Sequence, residues 1–232
     1  MLGGDAGANS MTETSSGAIE RPPASRIADL EAQLAEVTSR LREADHRIKN
    51  DLQLINSIFV LQLRNMPAGP ERDLVRAALE RVGAVSAVHR RLDVMDDPKH
   101  FEASGLVREM VEEAISGARR PDVRVDLDLA PVTVPTRQAA PLALIVGELM
   151  HNGLRHAFPG RPGAIRVGFR SADGVIRLSV ADDGVGLAPG CLAPSGFGTT
   201  LVALLAQQLR GEVEVRAAAP GLRIVVSFPE SP

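Results

Sequence analysis

The 232-residue sequence predicts an α+β protein: a long helical hairpin, forming a four-helix bundle when two copies pair, followed by a two-layer α/β sandwich. Three observations predict it. Apolar residues recur at helical spacing between residues 27 and 59. Five segments between 123 and 228 alternate apolar and polar residues. Stretches of helical periodicity lie around and between those segments.

Residues 1–24 are rich in Gly, Ser, Thr, Ala and Pro, lack periodicity, and are predicted to be a disordered tail. Ser25 is the predicted N-cap of the first helix. From there Ile27, Leu30, Leu34, Val37, Leu41, Ala44 and Ile48 follow the heptad spacing of a helix seam. The pattern then slips by one position and continues through Leu52, Ile55 and Phe59, as in a stutter. "NMPAGP" at 65–70 breaks the helix. A second helix is predicted at about 71–95, with a stripe of Leu74, Ala78, Val82, Val85 and Leu92. One hairpin holds too little core to stand by itself, so pairing two of them buries both stripes. Residues 25–97 are therefore read as a dimerising helical domain, and residues 101–232 as a second domain.

In that second domain the strands carry Val123/Val125/Leu127/Leu129, Ile165/Val167/Phe169, Ile176/Leu178/Val180, Val213/Val215 and Leu222/Ile224/Val226/Phe228. Alternation means one buried and one wet face, unlike the doubly apolar strands of doubly wound folds. Helices at about 104–117, 137–157 and 199–210 are expected to cover the buried face. No Gly-x-Gly-x-x-Gly or Walker-type stretch is present.

Composition narrows the function. Hydrophobic residues make up 44% and aromatics 3%, so the core must be aliphatic. A net charge of −3 gives no electrostatic reason to expect nucleic acid. The single cysteine, Cys191, excludes an intrachain disulfide and fits a reducing cytosol. No apolar run reaches the length of a membrane span, and "MLGGDAGANS" lacks the regions of a signal peptide, so a cytoplasmic protein is expected.

Four features carry chemistry. His46, in "EADHRIKNDLQL", falls between the apolar positions and faces outward in either helix register. It is surrounded by Arg42, Asp45, Arg47, Lys49 and Asn50. In "PLALIVGELMHNGLRHAF" Glu148, Asn152 and Arg155 stand at i, i+4 and i+7, a polar row on one face of an apolar helix. Such a row must find partners. "VADDGVGL" follows a strand directly, with Asp182 at the strand end and Gly184 and Gly186 permitting close approach. "PSGFGTT" then places Gly196 and Gly198 immediately before a helix whose free N–H groups suit phosphate oxygens. His151 and His156, five apart and without nearby cysteines, are poor zinc ligands. His89 is read as a packed or capping residue and His100 as a linker residue.

In this order the segments resemble the N, G1 and G2 boxes of the GHKL (Bergerat-fold) ATP-binding domain. Upstream, "HRIKNDLQ" with "HRRL" in the next helix resembles the phosphoacceptor domain of soluble sensor histidine kinases of the HWE-related, His-Arg-x-x-Asn kind. The resemblance spans roughly residues 40–230. It implies a cytoplasmic histidine kinase, a homodimer, that phosphorylates His46 from ATP and passes the phosphoryl group to an aspartate of a response-regulator receiver domain. Arg47 and Asn50 join His46 in the motif, and Glu148 would orient a metal-bound water or the phosphate end. Asn152 would bind Mg²⁺, Arg155 the phosphates, and Asp182 the adenine amino group. Gly184 and Gly186 would lie by the base. Gly196 and Gly198 would hinge a short lid, 187–195, over the phosphates, with Thr199 in the same set. The signal would enter through the N-terminal coil or from a separate sensor protein. Two rival readings remain, a histidine phosphotransferase relay without useful ATPase activity and an anti-sigma-type GHKL serine kinase.

The chain also departs from the family's usual pattern. Arg47 stands where many histidine kinases have an acid, leaving Asp45 or water to act as any base. Gly147 replaces a common Asn, Gly153 a common Ala, and Arg155 a common Lys. No Phe-rich box lies between the two glycine segments.

Overall fold

The computed structural model describes residues 23–92, 99–187, 196–218 and 220–230. Residues 1–22 of the expected tail, most of the expected lid and Cys191 lie outside the described residues, whereas Pro23 and Ala24, expected in the tail, are helical. Two units make up the chain, residues 1–45 and 46–232. Helix α1 (Pro23–Asn65) begins two residues before the Ser25 expected to cap it. In the first unit its apolar seam is bare: Ile27, Leu30, Leu34, Val37 and Leu41 are all exposed.

Within the second unit α1 ends at Asn65, and α2 (Pro70–Leu92) starts on a proline, whose fixed φ and missing N–H suit a first helical position. No α1 residue joins the core among those described, and Ile48, Leu54, Ile55, Ile58 and Leu61 stay exposed. Helix α2 has two faces. The expected stripe is at most half-buried, and Leu74 is 70% exposed. A second face of small residues, with Ala84, Ala87 and Val88 buried, packs into the α/β core.

The expected strands form one sheet in the order β2-β4-β5-β7-β6. They are β2 (Val123–Leu129), β4 (Gly163–Ala172), β5 (Val175–Asp182), β6 (Glu212–Ala217) and β7 (Leu222–Pro229). β2 and β4 are parallel, and the other pairs antiparallel. Ile165, Val167, Phe169, Ile176, Leu178, Val226 and Phe228 alternate inward and are buried. Helices α3 (Ser104–Ala118), α4 (Ala139–Asn152) and α5 (Phe197–Gln208) share that core, giving the expected two layers. Burying one such side chain is worth roughly 1.5–3 kcal/mol.

Two features go beyond the sequence reading. A small antiparallel ribbon pairs β1 (His100–Glu102) with β3 (Thr133–Pro135) and buries Phe101 and Val134, so His100 is a strand residue. The helix expected over 137–157 is divided into a 3₁₀ turn (Thr136–Gln138), α4, and a π-helical turn (Gly153–Ala157). Turns of that kind tend to fall at functional sites.

Candidate active site

A cavity of about 380 Å³ opens between α4, the end of β5, the start of α5 and β7. Glu148, Asn152, Asp182, Gly186, Gly196, Gly198 and Thr199 all line it. Residues far apart in the sequence thus converge because the β5–α5 connection and the polar face of α4 meet at one end of the sheet.

Asp182 closes β5 and is half-buried. Its Oδ1 accepts the Gly184 N–H at 2.9 Å and the Leu222 N–H at 3.3 Å. Neither bond falls on Oδ2, which can take an amino donor. Burial pushes this carboxyl above its ordinary value of 3.8, against the opposing pull of the two N–H groups. Gly184 lines no part of the cavity but makes the loop possible, because a Cβ there would stand 2.4 Å from the Ala157 carbonyl oxygen.

Glu148 is buried, at 7% exposure, and lies against the first turn of α5. That approach requires Gly198, whose Cβ would meet Glu148 Oε2 at 2.4 Å. The first α5 bond runs from the Thr200 N–H to the Gly196 carbonyl, which also accepts the Thr199 hydroxyl at 2.8 Å. The N–H groups of residues 197–199 precede that bond and have no partner within the helix. Asn152, one turn beyond Glu148, keeps its Nδ2 buried with no protein partner. That orphaned Nδ2 is a donor and suits an acceptor such as a phosphate or water oxygen, whereas the Oδ1 of the same amide, beside the Glu148 carboxylate, is the kind of oxygen ligand that Mg²⁺ takes while keeping waters. Among the described residues no cluster of three or more His, Cys, Asp or Glu can hold a metal.

Arg155 stands apart. It does not line this cavity; its guanidinium pairs with Asp73 of α2 at 2.5 Å. It lies instead with Glu148 and His151 on the side of α4 that faces α2, along a second cavity between α2, α3 and α4. His46, Arg47 and Asn50 are exposed on α1 and do not line the cavity.

Arg81, His156 and Phe197 also line the cavity and were not predicted. Arg81 donates to both oxygens of Glu148 and lies over the Phe197 ring, 4.7 Å from its centroid. Its signal was available: Ala77, Arg81, Ala84 and Val88 fall at i, i+4, i+7 and i+11, a second helix face broken by one arginine.

The sheet, its helical layer and the glycine-flanked cavity define a GHKL-type ATP-binding fold. Residues 137–232 match the family described as histidine kinase-, DNA gyrase B-, and HSP90-like ATPase, and residues 43–118 match a histidine kinase family. The blue-light-activated histidine kinase 2 of Erythrobacter litoralis is 28% identical over 215 residues, which is 89% of this chain and 59% of that protein. The sensor histidine kinase PdtaS of Mycobacterium tuberculosis is 26% identical over 162 residues, 68% of this chain and 30% of that protein. The chain therefore spans less than two thirds of these relatives. The solved histidine kinase domain of the Erythrobacter litoralis EL346 kinase superposes with a TM-score of 0.62 at 19% identity, covering 76% of this chain and 95% of that one. Residues 43–118 therefore carry a histidine kinase domain and residues 137–232 a GHKL-type ATPase domain, and across both the chain is similar to blue-light-activated histidine kinases. No helix among the described residues is long and apolar enough to cross a membrane.

Proposed function

We propose that this chain is an ATP-dependent kinase that phosphorylates its own His46 and serves a receiver-domain partner. One observation carries the reading: Glu148, Asn152, Asp182 and the Gly196–Thr199 turn surround one cavity, in a chain that also displays an exposed histidine on α1. Asp182 selects adenine through its open Oδ2. The N–H groups opening α5 receive phosphate oxygens. Asn152 and Glu148 would hold Mg²⁺ and its waters, and the ion supplies neutralisation of phosphate charge when bound.

In the transfer, a ring nitrogen of the neutral His46 attacks the γ-phosphorus in line. The bond to the bridging oxygen breaks, ADP leaves with that oxygen's electron pair, and the imidazole's other nitrogen gives up its proton. The transition state is loose, so positioning dominates the rate. Exposure of His46 supports this role, because a nucleophile on a helix face must be reached by the nucleotide. The phosphoryl group then passes to a receiver aspartate, in the cytoplasm where ATP is the donor. The bare heptad seam of α1 supports a homodimer. A separate sensor protein acting on that coil fits the same surface.

Incubation with Mg²⁺ and γ-labelled ATP tests the reading. The expected label is acid-labile and base-stable, lost in His46→Ala, and absent in Asn152→Ala although the protein stays folded. A label that persists in His46→Ala refutes the assignment of the phosphoacceptor. Full labelling of Asn152→Ala refutes the metal assignment.

A further inference from the structure

The polar groups of α4 and its π-turn are met from α2 by a row of complementary partners. Arg81 Nε and Nη2 donate to Glu148 Oε1 and Oε2 at 2.6 and 3.1 Å. Glu80 lies 2.9 Å from His151 Nδ1, and Asp73 pairs with Arg155 at 2.5 Å. The three pairs run antiparallel, rising from 73 to 81 on α2 while falling from 155 to 148 opposite.

Resting on the kinase reading above, we propose that α2 is a latch on the ATP site, standing in for the magnesium–nucleotide and releasing α4 when that ligand binds. The signs are those of a surrogate. A guanidinium occupies both oxygens of the carboxylate expected to face the metal's water shell. A carboxylate draws away Arg155, the cation expected to meet phosphate.

The contact is also built to part. A second cavity, of about 430 Å³, lies between α2, α3 and α4. Gly117 and Gly147 line it with open space where a Cβ would stand. The apolar residues that α2 buries fully are only Ala84, Ala87 and Val88. Small side chains bury little area, so the pairing leans on charge, which a more highly charged ligand can displace.

The test uses the full chain. Binding of Mg²⁺ with a non-hydrolysable ATP analogue is measured by calorimetry for wild type, Asp73→Asn, Arg81→Ala, Arg81→Lys and Asn152→Ala. Hydrogen exchange of α2 is followed with and without the analogue. The latch requires Asp73→Asn to bind about fivefold more tightly than wild type, the size of one lost half-exposed ion pair, and Arg81→Ala to bind at least as much more tightly. Arg81→Lys should fall between, since it keeps charge but not the two-pronged contact. The analogue should speed exchange of α2 amides in wild type and not in Asn152→Ala. Should Arg81→Ala fail to fold, with Glu148 left buried and unpaired, Asp73→Asn decides the matter from a more exposed position. Weaker or unchanged binding in both variants, with wild type binding normally, overturns the latch and leaves the kinase reading intact. No binding by wild type overturns both.

Discussion

Under the proposed function, Asp182 joins recognition to stability in a single side chain. Its Oδ1 is fixed as an acceptor by two backbone N–H groups, so in Asp182→Asn the amide NH₂ must take the place of Oδ2. Donor would then face the adenine amino donor, and adenine-nucleotide affinity should fall about tenfold or more in a calorimetric titration. The same carboxyl titrates above 3.8 in the folded protein, so the folded state binds its proton more tightly than the unfolded chain does. Below 3.8 the group brings no penalty; as pH rises through the folded value it lowers stability. The stability of Asp182→Asn relative to wild type should therefore grow across that window and level off above it, as read by denaturant unfolding at a series of pH values. Gly198 is the second residue-scale case. Gly198→Ala puts a methyl group 2.4 Å from Glu148 Oε2, pushing α5 off α4 and weakening nucleotide binding in the same titration.

Among the elements, the π-turn needs outside help because its carbonyls lack the usual helical partners. Arg120 supplies it from the α3–β2 connection. Its guanidinium donates to the carbonyls of Leu154, Phe158 and Arg161 while Asp122 accepts from two of its nitrogens. Arg120→Ala should lower the unfolding temperature and weaken nucleotide binding together, and Arg120→Lys should rescue neither, lacking the planar fork. Helix α2 shows the other lesson at this scale. Its Leu74 stripe was legible from apolar spacing, but the face that packs onto α4 uses alanines, whose small areas leave almost no periodic signal.

For the molecule as a whole, the exposed seam of residues 27–41 sets the expected assembly. Its heptad spacing complements a second copy of itself. Sedimentation should give a dimer for the full chain, and Leu34→Glu should shift it toward monomer by placing a charge in the seam. The ATP-binding layer carries its own core of Val, Ile, Leu and Phe, so nucleotide affinity should survive that substitution.

Much of this was written in the chain itself. Strand alternation fixed the sheet's buried face, since a period of two admits only one inward set. The Asp-x-Gly-x-Gly and Gly-x-Gly segments identified the loops at the cavity, because only glycine permits such close backbone approach. Tertiary structure decided what depends on contacts between distant segments. The pairing of Arg155 with Asp73, the ribbon that enlists His100, and the hold of Arg81 on Glu148 leave no periodicity to read. Each exists because packing brings together groups that stand far apart in the sequence.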